Sequence, residues 1–103
     1  MEICKEDWKL YLKLLPLWQE RYMALLMDKY LSIINKDSIA SRKYWELDEE
    51  INKDKYSYGV RVELKKDEMI DVIRWFIVNQ VITKDDLIDF SNELVELVYL
   101  YLR

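Results

Sequence analysis

The chain has 103 residues, 51% of them apolar and 14% aromatic, with 16 basic against 20 acidic side chains and a net charge of −4. That suits one domain with one modest core and is too apolar for intrinsic disorder. One glycine, one proline, one cysteine and no histidine argue against a turn-rich sheet protein and exclude a glycine-rich phosphate loop, an intrachain disulfide, a cysteine zinc site and histidine-based catalytic pairs.

The expected fold is a single all-α domain over residues 1–103. It is a small bundle of four to five helices with one short extended segment near residues 58–64. Trp8, Tyr11, Leu12, Leu15, Trp18, Tyr22, Leu25, Leu26 and Ile33 recur at steps of three and four, which is a helical stripe. Pro16 falls inside it, and proline removes a backbone donor and crowds the preceding turn. The spacing therefore predicts helices over 5–15 and 16–34, in phase across a kink or a tight restart. Asn35, Asp37 and Ser38 supply turn and capping chemistry. Tyr44, Trp45, Leu47 and Ile51 then predict a third helix ending near Lys55, with Lys53 and Lys55 placed to meet its dipole.

In "YSYGVRVEL", Val60, Val62 and Leu64 alternate with Arg61 and Glu63, the period of a strand. "KKDEMIDVIRWFIVNQ" returns to helix, with Met69, Val72, Ile73, Trp75, Phe76 and Ile77 as its apolar side. A last helix is expected from Lys84 to Leu102, using Leu87, Phe90, Leu94, Leu97 or Val98, and Tyr101. Its final turns, "LVELVYLYLR", are apolar on nearly every side, and a helix apolar all round is buried all round or forms an interface. Val95, Tyr99 and Leu102 are accordingly candidates for a partner or dimer contact. Tyr56 and Tyr58, beside Gly59, are candidates for exposed recognition aromatics; the alternative is one ring tucked under the turn with Gly59 at positive φ. Trp8, Trp18, Trp45 and Trp75 are read as core.

Charge divides unevenly. Residues 1–45 carry 8 basic and 6 acidic side chains, residues 46–103 carry 8 and 14. The acidic second half argues against direct nucleic-acid binding and permits contact with a basic protein surface. Glu46, Glu49, Glu50 and Asp54 form one acidic helix face, and Asp85 and Asp89 a second acidic spot. Thr83 and Asp86 have the spacing of a capping box, with Ile82 and Leu87 at the staple positions, so the run Asp85, Asp86, Asp89 reads as a helix start. A divalent-cation site is the alternative reading of those aspartates. No catalytic, cofactor or metal-binding residue is assigned. "MEICKEDWKL" has early acids and no apolar signal core, and no run reaches the ~20 residues that span a bilayer, so a cytoplasmic protein without a membrane partner is expected.

From Trp45 to Leu94 the chain resembles a group of small helical bacterial and phage proteins. The likeness lies in "WELDEEINKD", "YGVRVELKKDEMIDVI" and the "IT..DL..FS.EL" run. The resemblance implies an all-helical fold and carries no activity. The functional expectation is a non-enzymatic, acidic protein-interaction module, bacterial or phage, acting on a protein partner and able to form a homo-oligomer. One alternative is a phage or mobile-element inhibitor of a nucleic-acid enzyme, such as an anti-CRISPR protein, that presents its acidic side to a basic nucleic-acid-handling protein. Another is a carboxylate-based magnesium-dependent enzyme.

Overall fold

The computed structural model describes residues 3–100 and Leu102. The described residues form an all-α bundle of four α-helices with two short 3₁₀ turns: α1 Lys5–Ile34, α2 Ala40–Asp54, a 3₁₀ turn Lys66–Glu68, α3 Met69–Val78, a 3₁₀ turn Lys84–Leu87 and α4 Asn92–Tyr99. No helix among these residues is long and apolar enough to cross a membrane.

α1 is the spine. At 1.5 Å per residue its 30 residues extend about 45 Å, most of the 52 Å long axis of the molecule. It runs uninterrupted through Pro16, where two helices are expected from sequence. The backbone bond that Pro16 cannot donate is lost, but Leu15 and Trp18 on either side are both buried in one core. That packing holds the two segments in a single helix.

The two halves of α1 have different neighbours. Tyr11, Leu15 and Trp18, in its first half, enter a core with Met69, Val72, Ile73 and Phe76 of α3, Val81, Ile82, Leu87 and Phe90 of the connection, and Leu94 and Val98 of α4. Leu26, Tyr30 and Ile33, in its second half, form a smaller cluster, flanked by Tyr22, Leu47 and Val60. There α2 folds back along α1, and none of its residues is buried. The molecule is thus a packed lobe and a two-helix hairpin sharing one rod.

α4 is fastened at both ends by side chains from elsewhere. The buried Asp7 carboxylate accepts from the Ser91 amide at 2.9 Å and from the Ser91 hydroxyl at 2.6 Å, and Ser91 Oγ in turn accepts from the Leu94 amide at 3.2 Å as the N-cap. Burial works to raise the Asp7 pKa, but the two bonds from Ser91 outweigh it and hold the carboxyl below its ordinary value. At the other end, Arg74 of α3 donates to the carbonyls of Val98 at 3.0 Å and Leu97 at 2.6 Å, where a cation suits the helix terminus.

Four local expectations are corrected. The last helix does not run from Lys84 to Leu102. It is broken between Leu87 and Asn92, because Ser91 takes extended backbone to cap a new helix; Tyr101 lies outside the described residues. α2 starts at the N-cap Ile39 without a side-chain cap, not on Asn35, Asp37 or Ser38. Residues 61–65 are irregular backbone and pair with no strand among the described residues. Gly59 has no positive φ. Its necessity is close approach instead, since a Cβ there would lie 2.0 Å from the Tyr22 ring. The positive φ falls at Gln80, at 59°. Val81 N–H bonds Phe76 O and Gln80 N–H bonds Ile77 O, so α3 ends in a Schellman motif with glutamine at the left-handed position.

Candidate functional site

The hairpin carries a row of ion pairs made within the chain. Lys29 bonds Asp54 at 2.7 Å and Glu50 at 3.2 Å, Lys36 pairs with Glu46, and Lys53 reaches Glu49 at 3.4 Å. Tyr30 donates its hydroxyl to Asp54 at 2.6 Å. Burial and this carboxylate together push the Tyr30 pKa up. Burial opposes the charge on Lys29, but the bonds to Asp54 and Glu50 prevail and raise its pKa. The face Glu46, Glu49, Glu50, Asp54 expected from sequence is therefore a lattice of pairs along one edge of the hairpin.

Asp85 and Asp89 are exposed and lie at a separate place, on the turn after Thr83. Their neighbour Asp86 accepts from the Thr83 amide at 2.8 Å and from Arg21 at 2.8 Å. Burial opposes these bonds, which nonetheless lower its pKa. The Thr83–Asp86 capping box forms as the spacing predicts, on a 3₁₀ turn, with Ile82 and Leu87 buried at the staple positions. Arg21 and Lys29 are eight residues apart on α1, about 12 Å along the axis, so the two acidic groups are spaced by roughly two helical turns. Among the described residues no three carboxylates or thiols converge in a way that would hold a metal ion.

Of the apolar candidates, Tyr56 is exposed. Its ring lies under Lys55 and Arg61, the guanidinium 5.1 Å from its centroid. Tyr58 is partly buried against Trp75, edge to face at 6.3 Å. Val95, Tyr99 and Leu102 flank the main core. Val95 and Tyr99 also line an open depression with Lys84, Glu96 and Leu100, and Lys84 stands 5.7 Å over the Tyr99 ring.

The largest concentration of exposed apolar side chains is on the hairpin. Met27, Leu31 and Ile34 of α1 are 58%, 55% and 49% exposed; Tyr44, Trp45 and Ile51 of α2 are 64%, 64% and 40% exposed. At 100° per residue, Met23, Met27, Leu31 and Ile34 lie to one side of the buried line Leu26–Tyr30–Ile33, and Lys29 to the other. On α2, Tyr44 and Ile51 lie to one side of Leu47, and Glu50 and Glu46 to the other. Because Lys29 meets Glu50, the paired charges share one edge of the hairpin and the apolar residues share the opposite one. Trp45 extends the apolar edge outward, its ring edge-on to Tyr44 at 5.0 Å, and Asp48, bonded by Asn52 at 3.2 Å, stands between Trp45 and the pair Tyr44 and Ile51.

Helical spacing places Trp45 in the core and does not single out Met27, Leu31 and Ile34 as a site. Leu12 and Leu25, expected in the core stripe, are exposed as well. The signal was present: α1 carries two apolar stripes beyond Tyr22, Leu26–Tyr30–Ile33 and Met23–Met27–Leu31–Ile34, and a single neighbouring helix covers one.

No family model matches the chain, and comparison with curated proteins and with solved structures finds no match.

Proposed function

We propose that the protein is a non-enzymatic interaction module that binds a protein partner through the apolar edge of its α1–α2 hairpin. The single observation that carries this reading is the contiguous exposed set Met27, Leu31, Ile34, Tyr44, Trp45 and Ile51. Exposed apolar residues scattered singly need no explanation, but a clustered patch with two aromatics has the composition of an interface core. The acidic edge supports partner binding less well. Glu46, Glu49, Glu50 and Asp54 already face lysines of the same chain, so an incoming basic surface would have to displace those pairs.

The experiment is affinity capture from a bacterial lysate with three baits: the natural chain, Leu31→Glu, and a charge-reversed chain carrying Glu46→Lys, Glu49→Lys and Glu50→Lys. The expected outcome is a partner lost with Leu31→Glu and kept by the charge-reversed bait. Loss with the charge reversal alone would overturn the reading and favour an acidic inhibitor of a basic nucleic-acid-handling protein.

A further inference from the structure

Resting on the reading that this edge of the hairpin is a binding surface, we infer that its occupant is a second copy of the chain, the two hairpins closing into a four-helix arrangement about a two-fold axis. Three observations point to self-association.

The first is area. The exposed fractions of Met27, Leu31, Ile34, Tyr44, Trp45 and Ile51 correspond to roughly 750 Å² of side-chain surface, against about 800 Å² per partner in a standard specific interface. The patch approaches the area that a stable dimer needs.

The second is charge. The α1 stripe from Met23 to Ile34 contains no charged residue, and the lysine–carboxylate pairs lie on the far edge. The α1 stripes of two copies can meet there without like-charge repulsion; the one carboxylate on the α2 side of the patch, Asp48, lies among Tyr44, Trp45 and Ile51 and is bonded by Asn52 at 3.2 Å. A two-fold contact requires the same patch on both subunits, and a neutral apolar patch meets that condition more readily than a charged one.

The third is what the other half of the molecule does with the same rod. In the packed lobe, α1 is covered by α3, α4 and their connection, and its buried residues are 1–3% exposed. In the hairpin it has α2 alone, and α2 buries no residue. Two helices enclose little core, whereas four helices packed nearly antiparallel close around a shared one. A second hairpin supplies two helices for the uncovered side, as the packed lobe supplies α3 and α4.

The test is sedimentation equilibrium of the natural chain from 1 to 100 µM, beside Leu31→Glu and, on the other helix, Tyr44→Glu, with helicity checked by circular dichroism. Both positions are more than half exposed, so neither change opens the buried cluster Leu26, Tyr30 and Ile33. The expected result is a natural chain whose mass rises from near the single-chain value at 1 µM toward twice that value at 100 µM, and for each variant a dissociation constant raised at least tenfold with helicity kept. A natural chain of single mass at 100 µM overturns the inference, as does a dimer that neither variant weakens. A single-mass chain whose lysate partner is still lost with Leu31→Glu overturns self-association alone and leaves the protein-binding reading standing. If that partner is also indifferent to Leu31→Glu, both fall.

Discussion

The packed lobe and the hairpin are built on one helix but held by different forces. In the lobe, bulky side chains from four segments interlock, with Trp18 against Phe76 and Phe90 at ring separations of 5.7 and 6.3 Å, and Asp7 and Arg74 pin the ends of α4. In the hairpin, three side chains of α1 are buried and the rest of the contact is a row of partly exposed ion pairs. Exposed pairs contribute roughly 0–1 kcal/mol each, whereas a fully buried large apolar side chain contributes about 1.5–3 kcal/mol. The lesson is that stability and binding surface are segregated along α1: the half that is complete within the chain holds the fold, and the half that is incomplete presents apolar area.

The largest break in that comparison is a truncation in each region. Phe76→Ala should cost about 3–5 kcal/mol in urea unfolding, because it leaves a cavity among fully buried neighbours. Leu47→Ala, in the middle of the α2 contact, should cost about 1 kcal/mol, since its site is already part open. Equal costs would mean that the hairpin is as tightly packed as the lobe.

The Asp7–Ser91 clasp gives the next effect. Asp7→Ala should cost about 2 kcal/mol, leaving the Ser91 amide and hydroxyl without their acceptor. The sign with pH follows from the lowered pKa. A carboxyl held below its unfolded value contributes stability that is fully present above that unfolded value and is lost as pH falls through the folded one. Acid titration from neutral pH should therefore destabilise the natural chain below about pH 4 more than it destabilises Asp7→Ala. Parallel acid profiles would show that the clasp carries no linkage.

The smallest effect belongs to Gln80. A side chain at φ 59° carries a penalty that glycine avoids. Gln80→Gly should raise stability by about 1 kcal/mol by thermal unfolding, through the lobe, with no change in self-association. A loss would place the glutamine side chain among the stabilising contacts.

The helical class, the α3 stripe and the Thr83–Asp86 capping box were legible in the residues because periodicity and capping are local. Trp45 and Leu12 are exposed against their periodicity, because periodicity marks apolar residues and not what covers them; burial depends on how many neighbours the tertiary fold brings. Pro16 reads as a kink or a tight restart because the packing of Leu15 and Trp18 that carries the helix through it is nonlocal. The Asp7–Ser91 contact joins residues 84 positions apart, and nothing in the spacing of either residue announces it. The partners of Glu46, Glu50 and Asp54, Lys29 and Lys36, sit on α1 and just past its end, which sequence alone does not place beside them.

The most direct test of this segregation is amide hydrogen exchange of the natural chain at 1 and 100 µM. The account predicts that amides of α2 and of α1 beyond Tyr22 gain protection at the higher concentration, while those of α3 and of α1 from Tyr11 to Trp18 exchange alike at both. Protection in α2 that is independent of concentration and equal to that of α3 would contradict it.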